Sequence, residues 1–381
     1  SFVYASDLSE KCVHFSVRYT NGTGAPIMQR SARQMLSAFL FALATALPAR
    51  ADPLPALGVD LSRTSVAGLS SGAYMAGQFQ IAYSRLVIGA GIVAGGPFGC
   101  ARTPNTELNP LWTVVLTLNA TRAQNNCMKD DWWWFFSSVP DPADLLDYAE
   151  RLAAEGKIDP LDALEGDKVY LFSSKADDTV ERGVVEAAAS FYRKAGIPDA
   201  NIVFEKNDKA AHAFIVETGE QSCGTAGPPY LNDCDIDQAR EILEEFYGPL
   251  RPPAAVVEAN FLHFEQEPFL TGLTDSNFDE KGVAYIPSTC RGGTTCAVHV
   301  VFHGCRQGVS AVQDRFVKGS GYERWAESNG IVLLFPQVTS SALNPKGCWD
   351  WWGYTGLHFL ERDAPQMLAV RRMLGRLAER P

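Results

Sequence analysis

Gly68-Leu69-Ser70-Ser71-Gly72 constrains this chain more than any other stretch. A short apolar run, Thr64-Ser65-Val66-Ala67, precedes it, and Ala73-Tyr74-Met75-Ala76-Gly77-Gln78-Phe79 follows as a helical pattern. Strand, G-x-S-x-G and helix, in that order, make a nucleophile elbow. The turn is so tight that only glycine avoids a steric clash at its flanks. It holds the Ser70 hydroxyl out at the carboxyl end of a sheet and places the N–H of Ser71 for an oxyanion. A plain Gly/Ser-rich turn has the same composition; the strand before and the helix after favour the nucleophile.

The start of the chain reads as an export leader. Met28-Gln29-Arg30-Ser31-Ala32-Arg33 is a short basic stretch, Met35 to Leu47 is an apolar run, and Ala49-Arg50-Ala51 fits an A-x-A cleavage site. This layout predicts a signal peptide over 28–51, with residues 1–27 a mis-assigned extension upstream of the true start. The run is shorter than the ~20 apolar residues that span a bilayer. Of the 381 residues, removing 51 leaves 330, enough for one large α/β domain over 52–381. Setting aside the five Lys/Arg and two Asp/Glu of the first 51 residues takes the formal charge from −11 to −14. So acidic a balance argues against nucleic acid and anionic membrane surfaces as partners, and for a neutral substrate.

Cysteine usage points the same way. Nine cysteines become eight once Cys12 is set aside, and an even number in an exported chain suggests disulfides. Close spacing suggests Cys223–Cys234 and Cys290–Cys296, then Cys100–Cys127 and Cys305–Cys348. There is no C-x-x-C, so a zinc ribbon or a thioredoxin-like site has no support.

Apolar runs alternate with helical patterns. Strands are expected at 64–69, 86–94, 167–173, 201–206, 261–266, 281–287, 297–303 and 331–336. Helices are expected at 71–83, 142–155, 183–195, 234–247, 312–329 and 364–379. The alternation predicts an α/β fold, a mainly parallel sheet with helices on both faces. Arg251-Pro252-Pro253-Ala254-Ala255 reads as a connection within one domain.

A nucleophilic serine needs a base, and the base an orienting carboxylate. In α/β-hydrolases the order is Ser, Asp/Glu, His, each on a loop after a strand. Val169-Tyr170-Leu171-Phe172 is a strand, and Ser173-Ser174-Lys175-Ala176-Asp177-Asp178-Thr179-Val180 is the loop after it. Asp177 is the first choice for the acid and Asp178 the next; a solvated turn is the bland alternative. After the strand Asn201-Ile202-Val203-Phe204-Glu205, His212 is the only histidine before residue 262, so the order leaves one candidate base. His299 and His303 make an H-x-x-x-H on a strand, without the helical face and glutamate of a zinc protease, and no metal site is assigned. The strand Val298-His299-Val300-Val301-Phe302 ends in His303-Gly304, the form of an oxyanion loop after the third strand of this fold. The N–H groups of Ser71 and Cys305 are then the expected oxyanion donors.

The oxyanion strand usually precedes the nucleophile; here it follows the histidine by about ninety residues. A circular permutation accounts for this. Strands 261–266, 281–287, 297–303 and 331–336 would be the first four of the ordinary fold, and helix 364–379 would lead, through the cut, into strand 64–69. A non-homologous second domain is the alternative, and it explains less.

Several segments together resemble one family, the secreted short-chain-length polyhydroxyalkanoate depolymerases whose lipase box precedes the oxyanion segment. They are Gly68-Leu69-Ser70-Ser71-Gly72-Ala73-Tyr74-Met75-Ala76, Ala176-Asp177-Asp178-Thr179-Val180, Ala211-His212-Ala213-Phe214 and Cys234-Asp235-Ile236-Asp237-Gln238-Ala239, followed by Val301-Phe302-His303-Gly304-Cys305-Arg306-Gln307 and Asn344-Pro345-Lys346-Gly347-Cys348-Trp349-Asp350-Trp351-Trp352-Gly353-Tyr354. The resemblance implies a circularly permuted α/β-hydrolase with Ser70, Asp177 and His212 as triad and Ser71 and Cys305 as oxyanion donors. It also implies a Cys305–Cys348 bridge, with Trp349 and Trp352 lining the cleft that grips a polyester chain. In an extended segment Trp349 and Trp351 share a face and Trp352 does not, so periodicity alone does not assign these roles. Many family members carry a C-terminal linker and substrate-binding module; none is expected after helix 364–379, which favours oligomers or amorphous polymer over crystalline polymer. Trp132-Trp133-Trp134-Phe135-Phe136 reads equally as an adsorption surface or as core filling.

The expected chemistry is serine-esterase hydrolysis of a short-hydroxyacid polyester or oligoester, without metal or organic cofactor, by a secreted monomer. A general secreted carboxylesterase is the alternative within the enzyme class. A non-catalytic surface binder that adsorbs through its tryptophans is the rival from outside it.

Overall fold

Strands β1 (Thr64–Leu69), β10 (Ala297–Phe302) and β11 (Ile331–Phe335) are buried at every position. Such continuous apolar runs suit the centre of a parallel sheet, where both faces are covered. The computed structural model describes residues 52–104, 111–130 and 139–381. The segments expected to be an extension (1–27) and a leader (28–51), and the cluster Trp132-Trp133-Trp134-Phe135-Phe136, lie outside the described residues.

Around these strands run β2 (Val87–Val93), β3 (Lys168–Ser174), β4 (Ile202–Asn207), β8 (Phe261–Glu265) and β9 (Lys281–Tyr285), all within a residue or two of expectation. The eight form one sheet in the order β4-β3-β2-β1-β10-β11-β9-β8. Only β9 runs against its neighbours. Counted from β8 as first strand, the order becomes 1-2-4-3-5-6-7-8 with the second strand reversed, which is the α/β-hydrolase sheet.

The cut that permutes it is visible at the chain ends. The last helix, α9 (Pro365–Ala378), is met by the segment leading into β1: the N–H groups of Leu57 and Val59 donate to the Leu377 carbonyl at 3.1 and 3.2 Å. The Gly58 N–H donates to the Glu379 carbonyl at 2.8 Å.

Helix α1 (Ser71–Ala82) is buried along its whole length; its two glutamines are paired, the Gln78 amide donating to the Asp350 carbonyl at 2.9 Å and the Gln80 amide to Asp167 Oδ2 at 3.0 Å. Its Gly77 lies against Ile92, while a Cβ on neighbouring Gly91 would touch Ile242 of α5 (Gln238–Tyr247). Successive strand residues point to opposite faces, so α1 and α5 cover the two sides of the sheet.

The structure departs from expectation in several helices. The helix expected at 234–247 begins only at Gln238, where the Asp237 carboxylate accepts the Arg240 N–H at 3.1 Å. That expected at 312–329 is three pieces, α6 (Val309–Val312), α7 (Arg315–Gly319) and α8 (Tyr322–Asn329), broken where Gln313 and Gly321 take φ of 56° and 84°. Unforeseen are helix α2 (Trp112–Asn126) and a small parallel sheet of β5 (Phe214–Val216), β7 (Leu231–Asp233) and β6 (Gln221–Ser222). The remaining helices, α3 (Pro142–Ala154) and α4 (Arg182–Lys194), lie where the periodicity puts them. All four suggested disulfides form, at Cys100–Cys127, Cys223–Cys234, Cys290–Cys296 and Cys305–Cys348.

Candidate active site

Ser70 stands between β1 and α1 with φ 57° and ψ −121°, a region that side chains other than glycine's rarely occupy. The backbones around it leave no room for a Cβ on either flank. One on Gly68 would lie 2.4 Å from the Gly72 backbone, and one on Gly72 only 2.2 Å from the Phe302 carbonyl oxygen. The two glycines of the motif are therefore required by close approach of β1, α1 and β10. The Ser70 N–H donates to the Val93 carbonyl at 2.9 Å, and the Ser70 carbonyl accepts from Ala73 and Tyr74 at the head of the helix.

Asp177 and His212 come together from two different loops. The His212 Nδ1–H donates to Asp177 Oδ2 at 2.7 Å, with both side chains nearly buried. The other carboxylate oxygen, Oδ1, accepts the N–H groups of Thr179 and Val180 at 2.8 and 3.0 Å, so the carboxylate is held from both sides. Asp178, the second choice for the acid, is exposed. The loop bearing His212 is secured by the small sheet: the Ala211 N–H donates to the Cys223 carbonyl, and the Phe214 N–H to the Tyr230 carbonyl, each at 2.9 Å.

Ser70, His212 and Cys305 border one depression, which Tyr230, Arg306 and Lys346 also line. Among the described residues the N–H groups of Ser71 and Cys305 donate to nothing. The turn carrying Cys305 is held by two buried side chains. His303 Nδ1–H donates to the Gly304 carbonyl at 2.8 Å, and its Nε2 accepts from the Val338 N–H at 3.2 Å. Gln307 Oε1 accepts the Gly304 N–H at 2.6 Å, while its amide donates to the Pro229 carbonyl at 2.9 Å. Burial pushes His303 down to about 4, so at neutral pH its ring is uncharged. His299 is pushed to about 3 by burial alone and sits 2.7 Å from the Ser65 hydroxyl. The two rings of the H-x-x-x-H thus engage separate partners.

The tryptophan expectations need correction. Trp349 is fully buried, with Phe302 at 4.9 Å and His303 at 5.6 Å between ring centroids. It packs on the end of β10 from within the core and presents no face to a cleft. Nor do Trp349 and Trp351 share a face. Asp350 gathers the N–H groups of Trp352, Gly353, Tyr354 and Thr355 into a turn, and Trp351 stacks on Tyr74 at 4.1 Å. Trp352 is half-buried. Sequence reasoning assigned no role to Tyr230, Arg306, Gln307 or Lys346; Arg306, Gln307 and Lys346 stand within resembling segments, but nothing in their spacing marked them.

A strained serine at the strand-to-helix elbow of this sheet, with a buried Asp–His couple carried on the loops after β3 and β4, defines a protein of the serine-hydrolase class on the α/β-hydrolase fold. The chain matches no family model. It is 39% identical over 330 residues to the poly(3-hydroxybutyrate) depolymerase of Delftia acidovorans, covering 85% of this chain and 61% of that protein. It is 32% identical over 354 residues to the polyhydroxybutyrate depolymerase of Talaromyces funiculosus, covering 87% of this chain and 94% of that one. Two solved structures superpose over 86% of this chain and 98% of theirs. A PHB depolymerase complexed with an R3HB trimer does so with TM-score 0.73 and 27% identity, and PHB depolymerase from Penicillium funiculosum with TM-score 0.72 and 28% identity. The chain belongs to the polyhydroxybutyrate depolymerase family. It spans about three-fifths of the Delftia relative's length.

Proposed function

We propose that this chain is an exported serine esterase that hydrolyses poly(3-hydroxybutyrate)-type polyesters or their oligomers through an acyl-enzyme. The observation that carries the reading is the His212 ring, bonded to Asp177 on one side and bordering the depression of Ser70 and Cys305 on the other. In this mechanism Ser70 Oγ attacks the ester carbonyl and its proton passes to His212 Nε2. Asp177 holds the proton on Nδ1 and stabilises the imidazolium. The N–H groups of Ser71 and Cys305 receive the oxyanion. The carbon–oxygen bond to the leaving alcohol breaks, that oxygen takes the proton from His212, and the acyl group stays on Ser70. Water, deprotonated by His212, then releases the acid.

The substrate is argued from the family and from the neighbour crystallised with a hydroxybutyrate trimer. Trp352, half-buried beside Trp351, is the remaining tryptophan proposed to touch the polymer. Export agrees with four disulfides and with the leader proposed over 28–51. Among the described residues no helix is long and apolar enough to cross a membrane.

The test incubates the purified chain with amorphous poly(3-hydroxybutyrate) particles and measures released 3-hydroxybutyrate and its oligomers, with Ser70→Ala alongside. Release by the wild type alone is expected. Wild-type activity confined to a soluble butyryl ester would move the substrate to small esters, and equal release by Ser70→Ala would remove the nucleophile.

A further inference from the structure

We infer that Arg306 and Lys346 form a subsite for the terminal carboxylate of a hydroxyacid oligomer, on the leaving-group side of the ester that Ser70 attacks. The inference rests on the reading of Ser70 as nucleophile and names which chains that site prefers.

The two cations are presented by one cross-linked patch. Cys305 and Cys348 are bridged with their Cα atoms 4.2 Å apart; Arg306 follows the first and Lys346 lies two residues before the second. The Arg306 N–H donates to the Lys346 carbonyl at 2.7 Å, which pins the two backbones together. Arg306 has φ 59°, so its direction is imposed by this turn rather than by local preference. Both side chains border the depression that holds Ser70, His212 and Cys305. Both also border a second depression lined by Ser310, Thr339 and Ser340, and so stand between the two.

Both side chains are exposed, and among the described residues neither has an ion-pair or hydrogen-bonding partner. Lys129 faces Glu181, Arg182 faces Asp208, and Arg324 faces Glu217 and Asp237, while Lys175, Lys194 and Lys209, like Arg306 and Lys346, have no ion pair among the described residues; what distinguishes Arg306 and Lys346 is their place on the depression of Ser70. In a chain of net charge −11, two unmatched cations beside the nucleophile create a positive patch against the general field. The interior of a hydroxyacid polyester is neutral and offers such a patch no ionic partner. The one charge on the chain is its terminal carboxylate, carried by the unit that leaves as the alcohol when the last or next-to-last ester is cut. A guanidinium with a neighbouring ammonium suits a carboxylate in geometry and sign. Cleavage close to a carboxyl end is therefore preferred over cleavage of an uncharged end.

The experiment compares kcat/KM for the (R)-3-hydroxybutyrate trimer as free acid and as methyl ester, in the wild type, Arg306→Gln, Lys346→Gln and the double variant. The wild type is expected to favour the free acid by about tenfold, as one or two partly exposed charge-assisted contacts would give. The ratio should fall in each single variant and approach one in the double variant, with the loss carried by KM. A wild-type ratio of one or below, or a ratio unchanged in the double variant, overturns the subsite. Equal cleavage of both trimers sinks this inference alone, whereas cleavage of neither by folded wild type sinks the polyester-substrate reading with it.

Discussion

Leu57 and Leu377 lie near opposite ends of the described chain and are backbone neighbours, the Leu57 N–H donating to the Leu377 carbonyl at 3.1 Å. The end of α9 and the segment entering β1 thus form a nearly continuous connection whose covalent bond is missing. The ordinary α/β-hydrolase order would be restored by closing this gap and opening the chain elsewhere.

The segment from Arg251 to Val257 is mostly exposed and suits new termini. A chain opened there, with Pro381 joined to Leu57 by a short linker, should fold with the wild-type circular dichroism spectrum. Its activity on a soluble butyryl ester should stay within about tenfold of wild type, because all eight strands of the main sheet are kept and only the Asp52 bridge to Phe264 at its edge is lost. An unfolded product would show that the present cut contributes more than connectivity.

Ser70 is held at φ 57° and ψ −121°, where glycine alone is unstrained. Ser70→Ala keeps the strain and should lose nearly all turnover with little change in melting temperature. Ser70→Gly relieves the strain and should melt about 2 °C above Ser70→Ala while remaining inactive. Calorimetry of the pair checks this, and a lower melting temperature for the glycine variant would contradict the strain.

In Asp177→Asn the amide oxygen can still accept from Thr179 and Val180, so the loop should persist. The amide NH2 would face His212 Nδ1 and drive the ring proton to Nε2, where it blocks uptake of the serine proton. Turnover should fall on the order of 10⁴-fold, the size seen for this substitution in serine proteases. Steady-state kinetics with unchanged melting would bear this out.

Gln307 joins Gly304, next to the proposed oxyanion donor, to the Pro229 carbonyl. Gln307→Met keeps the volume and removes these hydrogen bonds, together with the one the amide donates to the Tyr230 carbonyl at 3.3 Å. It should lower kcat by about 10- to 100-fold with KM little changed, since misplaced oxyanion donors act on the transition state. A loss confined to KM would place Gln307 in substrate binding instead.

Glu323 is buried, with Oε2 unpaired, and burial raises it from 4.5 to about 7. Arg324 opposes this shift and Asp237 adds to it. The folded state therefore holds a proton that the unfolded state releases at lower pH. Stability from this group is complete below about 4.5 and is lost as pH rises through about 7. Glu323→Gln cannot titrate, so its melting temperature relative to wild type should climb between pH 5 and 8, by an amount worth up to about 3 kcal/mol. The buried histidines His299 and His303 act in the opposite sense, and they cancel in this comparison because both proteins contain them. A difference that does not vary with pH would refute the assignment.

The eight strands of the main sheet were legible because each is a compact apolar run bounded by turn residues. Helix α2 was not, since its Thr- and Asn-rich sequence leaves only Val115, Asn119 and Ala123 buried and carries little periodicity. The break of 312–329 into three helices was hidden because the helical pattern continues across Gln313 and Gly321. The tryptophans misled for a different reason. The resemblance placed Trp349 in the cleft and periodicity assigned it no face, whereas tertiary packing seats its ring against Phe278 and Phe302 in the core.

The order of motifs along the chain determined the elbow at Ser70, the loops that carry Asp177 and His212, and the permuted topology, because each depends on local pattern and on connectivity. What tertiary structure alone decided depends on distances between remote segments. Ser70, Asp177, His212 and Cys305 lie on four separate loops, and only the folding of the sheet brings Ser70, His212 and Cys305 to one depression with Asp177 behind His212. The same folding sends Trp349 into the core and sets Arg306 and Lys346 on the depression of Ser70, since burial and charge pairing are properties of surfaces that the unfolded chain does not have.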